Sequence, residues 1–204
     1  MKILIACEES QAVTKEFRAL GHEAYSCDIQ ECSGGHPEWH IQGDVRNVLY
    51  DGWDMMIAHP VCRRLANSGV RWLDVPPKGK TKQEMLDELY AGVEFYCELR
   101  DAPIEKKCIE NSIMHRYAKF LIGSQNVQTV QPWWFGDKAF KGIRLELIGL
   151  DELKPTNKLI PPKPGTEEHK KWSVIHRMPP GPEREKMRSK TFPGVAKAFA
   201  NQWG

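Results

Sequence analysis

The feature that most constrains the fold of this chain is a series of short apolar runs, each of which ends in a polar residue. Five such runs can be read along the sequence: Lys2 to Cys7, Glu23 to Cys27, Ile41 to Asp44, Trp53 to Ala58 and Lys107 to Glu110. Short apolar runs bounded by polar or turn residues are typical of buried strands. Helical patterns separate several of them, and this alternation predicts an α/β protein with a mostly parallel, doubly wound sheet.

Three helices and one further strand are predicted by hydrophobic spacing. The clearest amphipathic helix extends from Gln83 to Leu99, and shorter ones are predicted from Gln11 to Leu20 and from Pro193 to Trp203. Residues Ile143 to Ile148 alternate between apolar and polar, which predicts an antiparallel strand. The chain has 204 residues, 41% of them hydrophobic, which favours one domain over residues 1–204. Residues 154–185 are rich in proline and charge, and we interpret them as a long loop with little regular structure.

Charge and cysteine content exclude several classes of protein. The 29 Lys and Arg nearly balance the 27 Asp and Glu, so no global positive field attracts nucleic acid, and any phosphate contact must be local. No apolar run is long enough to cross a bilayer, and the first residues turn acidic at Glu8, unlike a signal peptide. Most of the six cysteines lie in apolar segments, which indicates reduced thiols in a cytoplasmic protein. The exception is Cys62, which lies in a polar loop beside two arginines.

The polar residues at the strand ends form the candidate binding site. In an open parallel sheet the carboxyl ends of the strands lie along one edge, so Glu8, Asp28, Asp44 and the loop from His59 should converge there. A carboxylate at the end of the second strand is suited to bind the two hydroxyls of a ribose, which makes Asp28 a candidate, with Asp44 on the adenine side. The alternative is that both are helix caps or solvated acids.

Several motifs resemble those of the cytosine-C5 DNA methyltransferases, and more closely the short methyltransferase-like proteins of phages and prophages. They are His59-Pro60-Val61-Cys62, Ile109-Glu110-Asn111-Ser112, Thr191 to Ala196, Ala66 to Trp72 and His176 to Pro180. The resemblance extends over nearly the whole chain. It implies a Rossmann-like class I methyltransferase fold, S-adenosylmethionine as cofactor, DNA as partner, and a bacterial or phage-infected host cytoplasm. The residues expected to bind the cofactor are Cys7, Glu8, Glu9, Ser10, Asp28, Ile29, Asp44, Val45, His59 and Pro60.

The same residue types suit a covalent mechanism. The C5 carbon of cytosine is a poor nucleophile, and addition of the Cys62 thiolate at C6 turns the ring into an enamine that can attack a methyl sulfonium. Glu110 is expected to donate a proton near N3, with its pKa raised by burial. Asn111 is expected to orient the neighbouring backbone, and Arg144 resembles a family arginine that touches the target nucleotide. The residues expected to bind substrate are Arg63, Arg64, Asn67 and Arg71.

Departures from the family pattern leave alternatives open. The loop after the first strand contains no glycine, Val61 replaces a proline, and residues 149–189 are too few for a sequence-reading domain. We therefore expect low DNA sequence specificity, or specificity supplied by a partner protein. The same residues could instead modify a free pyrimidine nucleotide, or the chain could be a non-catalytic protein that binds nucleic acid or a host protein. In that case Cys62 is an incidental loop thiol and Glu110 a solvated strand end.

Two further features have competing interpretations. Four potential zinc ligands lie close in sequence: Cys27, Cys32, His36 and His40. Their spacing matches no usual zinc pattern, and Cys27 is expected to point into the sheet. The Trp133-Trp134-Phe135 cluster could stack on a base, although core packing is the favoured explanation for at least two of its members.

Overall fold

The strands of the computed structural model form one seven-stranded sheet. The structure describes residues 1–123, 126–179 and 181–204, without the side chains of residues 176, 182, 183, 185 and 186. The strands are β1 (Lys2–Ala6), β2 (Glu23–Asp28), β3 (His40–Gln42), β4 (Met55–Ala58), β5 (Lys106–Ser112), β6 (Val127–Val130) and β7 (Ile143–Ile148). Their order is β3-β2-β1-β4-β5-β7-β6. Neighbours from β3 to β5 are parallel, whereas β7 is antiparallel to both β5 and β6.

Helices cover both faces of this sheet, so the predicted α/β class with a mostly parallel, doubly wound sheet is confirmed. The helices are α1 (Ala12–Ala19), α2 (Arg71–Asp74), α3 (Lys82–Asp101), α4 (Arg116–Ile122), α5 (Glu167–Trp172), α6 (Val174–Arg177), α7 (Pro182–Ser189) and α8 (Pro193–Trp203). Single 3-10 turns lie at Pro37–Trp39, Val45–Asn47, Asn67–Gly69 and Pro132–Trp134. In the described ranges no helix is both long and apolar enough to cross a membrane.

Alternation along the strands divides the core into two layers. One layer joins Ile57 of β4 and Cys108 of β5 to α1 and α8. The opposite layer joins Ala58 and Ile109 to α3 and α4. Because successive side chains of a strand point to opposite faces, this division fixes the face of each residue at the strand ends. Glu110 and Ser112 share the face of Cys108, and Asn111 lies on the other face.

Local sequence signals explain where the main helices begin. Thr81 and Glu84 form a capping box at the start of α3, in which the hydroxyl accepts from the Glu84 backbone and the carboxylate accepts from the Thr81 backbone. Pro193 occupies the first turn of α8, where its missing N–H costs no helical hydrogen bond. Helix α1 has no side-chain cap from its own N-cap residue, Gln11, which adopts a left-handed conformation.

Several predicted boundaries are corrected. Residues 154–185 are not a structureless loop, because α5, α6 and the start of α7 lie within them. These helices were not predicted because each is short and its charged residues hide a helical period.

The third strand ends at Gln42, and Asp44 instead accepts a hydrogen bond from the Arg46 backbone at the start of a 3-10 turn. Strand β6 and helix α4 had no clear sequence signal. Within the motif from His176 to Pro180, Pro180 and the side chain of His176 lie outside the described residues.

Candidate functional site

The loop after β1 makes its turns without glycine. Cys7 and Gln11 both have positive φ, 59° and 56°, so two non-glycine residues adopt the left-handed conformation at the two ends of this loop. The Cys7 and Glu8 backbone N–H groups both donate to the Cys27 carbonyl oxygen, at 2.7 and 3.2 Å, which ties the loop to the end of β2. The absence of glycine from the sequence therefore does not prevent a tight turn at this position.

The carboxylates of this loop are already engaged within the protein. Glu8 is 5% exposed, and its carboxylate accepts from the Val13 backbone at 2.7 Å and from the Thr14 hydroxyl at 2.7 Å. It therefore caps α1 from outside the helix, which corrects the prediction that Glu8 faces a cofactor. The neighbouring Glu9 carboxylate accepts a short hydrogen bond from the Ser33 hydroxyl.

A second loop, residues 29–36, covers part of the first. The Gln11 side-chain amide donates to the His36 carbonyl oxygen at 2.7 Å and accepts from its N–H at 3.1 Å. Ser33 donates its backbone N–H to the Glu9 carbonyl oxygen at 2.9 Å. A Cβ atom at Gly34 would lie only 2.6 Å from the Ser10 carbonyl oxygen, so the close approach of the two loops requires glycine. The loop after β1 has no glycine of its own, and the glycine at the contact between the two loops is Gly34, in the second loop.

Acidic residues that end β2 and follow β3 lie near the end of β1. Burial raises the pKa of the Cys7 thiol to about 12, with further contributions from Asp28, Cys27 and Asp44. Strand β2 is the parallel neighbour of β1, with Ala6 opposite Cys27, so Asp28 lies beside the end of β1 as the strand-edge argument predicts. The Asp28 Oδ1 atom accepts from the Gln30 backbone at 2.9 Å. The Asp44 carboxylate instead binds Arg46, at 3.3 Å from its Nη1 atom.

These residues fit the nucleoside part of an adenosyl cofactor better than its amino-acid part. The Asp28 carboxylate is at the end of β2, where ribose hydroxyls bind in related folds, and its Oδ2 atom has no hydrogen-bond partner among the described residues. Ile29 is 74% exposed beside it. Val45, by contrast, is 4% exposed within the core, which corrects its predicted contact with a cofactor. The remaining loop residue, Ser10, is half-buried under Gly34.

The loop that carries Cys62 is held beside the end of β5. The Cys62 carbonyl oxygen accepts from Leu65 and Ala66, which closes a tight turn. His115 donates its backbone N–H to the Leu65 carbonyl oxygen at 3.0 Å, and its Nε2 atom lies 2.7 Å from the Arg64 carbonyl oxygen. Cys62 is half-buried, and the Ser112 hydroxyl donates to its Sγ atom at 3.5 Å. The segment after β5 therefore positions the thiol on the face that Ser112 shares with Glu110.

Glu110 forms a buried pair with His59. The His59 Nδ1 atom lies 3.0 Å from the Glu110 Oε2 atom, and the two side chains are 8% and 13% exposed. Burial raises the pKa of Glu110, but the positive charge of Lys141 and the hydrogen bond from His59 together outweigh it and hold the pKa below its ordinary value. The predicted upward shift of the Glu110 pKa is therefore wrong, because no sequence pattern indicated that Lys141 and His59 act on this carboxylate.

Two buried polar atoms close to this pair have no hydrogen-bond partner among the described residues. They are the Nε2 atom of His59 and the Oδ1 atom of Asn111. The Asn111 Nδ2 atom donates to the Pro60 carbonyl oxygen at 3.4 Å, so this amide contacts the backbone of the loop as predicted. Buried polar groups are normally paired. Unpaired groups at the carboxyl edge of the sheet are therefore candidates for contact with a ligand.

The Arg144 side chain lies on the face of the sheet opposite to Glu110, which corrects its predicted contact with the target nucleotide. It is 4% exposed and pairs in register with Asn111, on the face opposite to Glu110. Its Nη1 atom donates to the Tyr96 hydroxyl at 2.8 Å, and that hydroxyl donates to Glu146 at 2.6 Å. Burial raises the pKa of the Tyr96 hydroxyl well above its ordinary value. Arg144 thus belongs to a buried polar network under α3.

The predicted substrate-binding residues divide into exposed and engaged groups. Arg64 was predicted to bind substrate. It is only 7% exposed and its Nε atom binds Glu88, so the structure corrects this prediction. Arg63 and Asn67 are exposed near Cys62. Arg71 is also exposed, with its guanidinium 4.0 Å from the ring centre of Trp72. Three of the four remain accessible to an anionic substrate.

The residues considered as zinc ligands are directed to other partners. The Cys32 Sγ atom donates to Gln11 at 3.1 Å, and His36 stacks on Trp39 at 3.8 Å between ring centres. His40 binds Ser26 at 2.8 Å. Over the described ranges, no group of three or more potential ligands is arranged to hold a metal ion.

The aromatic cluster is mainly structural. Phe135 is 5% exposed and belongs to the core, and Trp134 packs against the same core cluster. The ring centres of Trp133 and Trp134 are 6.1 Å apart. Trp133 is half-buried, with the Lys158 ammonium 5.8 Å from its ring centre. Core packing thus accounts for Trp134 and Phe135, in agreement with the favoured explanation.

Sequence reasoning missed three residues that shape this site. Ser112 contacts the thiol, His115 anchors the loop of Cys62, and Lys141 acts on the carboxylate of Glu110. Strand alternation could have found Ser112, since it lies two residues after Glu110 and so on the same face. The other two lie in irregular segments, where the sequence carries no periodic signal.

Comparison with known proteins gives matches in structure alone. No family model and no curated protein sequence matches the chain. One similar solved structure is a protein encoded within an E. coli prophage and assigned as a DNA modification methyltransferase, with 13% identity and a TM-score of 0.48. Another is a methyltransferase of Entamoeba histolytica, with 8% identity and a TM-score of 0.47. Each match covers 77% of this chain, which spans 51% and 57% of those two chains, respectively.

Proposed function

We propose that this chain is an S-adenosylmethionine-dependent methyltransferase that modifies C5 of cytosine in DNA through a covalent bond from Cys62. The observation that carries the proposal is the position of the Cys62 thiol. It is half-buried at the carboxyl edge of the sheet and contacts Ser112, on the face from which Glu110 also projects. A thiol held beside a buried carboxylate at such an edge is suited to attack a flat heterocycle.

Each residue of the site has a definite part in this reaction. Cys62 Sγ, as a thiolate, adds to C6 of the ring and leaves C5 electron-rich. Once C5 carries its new methyl group, water accepts the C5 proton and the C6–S bond breaks, which returns the thiolate. The lowered pKa of Glu110 keeps it ionised, so it is suited to accept a hydrogen bond from the exocyclic amine of cytosine and to orient His59. His59 Nε2 is then available to a polar atom of the ring.

The cofactor, when bound, supplies an electrophilic methyl group. Asp28 is the residue best placed to hold its ribose hydroxyls, because its carboxylate is at the end of β2. The backbone of Cys7 and Pro60 would border the same corner of the sheet. Asn111 holds the Pro60 carbonyl oxygen and so keeps the loop of Cys62 in place.

Methyl transfer from labelled S-adenosylmethionine to DNA tests the proposal. We expect transfer by the unmodified chain and a loss on the order of 1,000-fold or more in Cys62→Ser, because a hydroxyl is a far weaker nucleophile at C6. Cys97→Ser is the matched control, since Cys97 is a half-buried thiol on α3 and should tolerate the change. DNA that contains 5-fluorocytosine should become covalently attached to the unmodified chain. A fluorine at C5 leaves no proton to be removed, so the C6–S bond cannot break again after methyl transfer. Full activity of Cys62→Ser would contradict the proposal.

A second function is favoured by the covered loop after β1. Gly34 lies against Ser10, and the carboxylates of Glu8 and Glu9 are engaged, which leaves few groups to bind the amino-acid part of the cofactor. These contacts favour a non-catalytic protein that retains the fold and binds nucleic acid. Calorimetric titration with S-adenosylhomocysteine separates the two functions. Binding that is lost in Asp28→Ala supports the enzyme, and no binding supports the non-catalytic protein.

A further inference from the structure

The charges of this chain are distributed unevenly along the sequence. Residues 154–190, here called the basic segment, contain ten Lys and Arg but four acidic residues, a net charge of +6. The rest of the chain has 19 Lys and Arg and 23 acidic residues, a net charge of −4. The near balance of the whole chain therefore conceals a strongly positive region, and a local field of this kind attracts polyanions.

The cations of the basic segment are available at the surface. Lys163, Lys171, Arg177 and Lys190 are all exposed. Among the side chains that the structure describes, none of these four lies within ion-pair distance of a carboxylate; Lys170 pairs with Glu167. Guanidinium and ammonium groups at a protein surface are the usual contacts of phosphate.

The basic segment also lies beside the proposed site. The Lys141 ammonium donates to the Arg188 carbonyl oxygen at 2.8 Å, and its charge acts on Glu110. The Lys141 side chain therefore contacts the end of α7, and its positive charge favours the ionised form of Glu110. In the middle of the segment, the Phe140 N–H donates to the Trp172 carbonyl oxygen at 3.0 Å, and Trp172 is 4% exposed. These contacts hold the basic segment against the residues that precede β7.

We propose that the basic segment is a DNA-contacting surface that binds the phosphate backbone without reading base sequence. The inference rests on the proposed function and deepens it, because it favours a polynucleotide over a free nucleotide as the substrate. A free nucleotide needs one phosphate site, whereas cations spread along 37 residues suit a chain of phosphates. On α5 the exposed side chains are Glu167, Glu168 and Lys171, so this helix presents no apolar face to a lipid surface.

Salt-dependent binding to a short labelled DNA duplex, measured by fluorescence anisotropy without cofactor, tests this inference. Each phosphate contact contributes about 0.9 to the slope of log affinity against log salt. Four contacts imply a roughly hundredfold loss of affinity when the salt concentration rises fourfold. The variant with Lys163, Lys171, Arg177 and Lys190 all changed to Gln should lower the slope by about 3 to 4. The matched control changes four exposed lysines outside the basic segment to Gln: Lys15, Lys106, Lys119 and Lys197.

The possible outcomes separate this inference from the proposed function. A reduced slope in the basic-segment variant and an unchanged slope in the control support the DNA surface, whether or not methyl transfer occurs. Equal slopes in both variants would overturn it, even if the chain methylates free deoxycytidine monophosphate. Tighter binding to an RNA duplex, or to phosphatidylserine vesicles, than to DNA would also overturn it.

Discussion

Two loops at the same edge of the sheet have opposite characters. The loop after β1 carries Cys7 in a tightly bonded turn, and the loop after β4 carries Cys62 half-buried at the surface of the site. Both follow buried apolar strands, and each contains a cysteine near its start. The difference arises from their neighbours: residues 29–36 cover the first loop, whereas the second is anchored from one side by the segment after β5. Adjacent strand ends therefore differ in environment: one is held in a closed turn, and the other leaves its thiol half-buried at the surface.

The largest expected contrast between the two loops is in thiol reactivity. With a pKa of about 12, Cys7 has about one thousandth of the thiolate of an ordinary exposed thiol at neutral pH. Cys62 should therefore be alkylated by iodoacetamide well before Cys7 in the native protein. Peptide mass mapping over a time course measures both rates. Equal rates for the two thiols in the folded chain would remove the distinction.

Loss of the Glu8 carboxylate should strongly destabilise the loop after β1 and the helix α1 that follows it. Glu8→Ala leaves the first turn of α1 without its buried acceptor, and we expect the free energy of unfolding to fall by about 2 to 4 kcal/mol. Glu9→Ala is the control, because Glu9 is more exposed and should cost under about 1 kcal/mol. Urea denaturation measures both. A cost for Glu8→Ala no larger than that of the control would show that the cap contributes little.

The close approach of the two loops around Gly34 can be tested with one methyl group. In Gly34→Ala the new Cβ atom would lie 2.5 Å from the Gln11 side chain and 2.6 Å from the Ser10 carbonyl oxygen. We expect a cost of about 1 to 3 kcal/mol from the required shift of the loop. Gly43→Ala has open space around its Cβ position and should change stability by less than about 0.5 kcal/mol. Thermal denaturation that fails to separate the two variants would contradict this packing.

The smallest expected effect is the pH dependence of the stability that Glu110 contributes beside the loop of Cys62. Because its folded pKa is lowered, ionised Glu110 contributes stability that is fully present above its unfolded pKa and is lost as pH falls through the folded value. The difference in unfolding free energy between the unmodified chain and Glu110→Gln should therefore be constant from about pH 7 to 5.5 and decrease at lower pH. A difference that changes between about pH 5.5 and 7 would instead indicate a raised pKa.

The sequence could predict the elements whose signal is periodic. The strands near the amino terminus, the long helix α3 and the helix at Pro193 were found because a buried face imposes a spacing on apolar residues. The antiparallel strand β7 was found from its alternation. Helices α5 to α7 were missed because they are short and polar, and their formation depends on contacts such as that of the Trp172 ring with Phe140, at 5.4 Å between ring centres.

The candidate site shows the same division. Strand polarity predicts from the sequence that Cys62, Glu110 and Asn111 lie at the carboxyl edge, and the family resemblance suggests their roles. The tertiary structure decided their environments: His59 and Lys141 lower the pKa of Glu110, Ser112 contacts Cys62, and Arg144 is on the opposite face. The reason is that a strand's own residues determine where it ends and which way each side chain points, whereas charge and hydrogen bonding depend on residues distant in sequence. Those partners are brought together only when the sheet and its loops have packed.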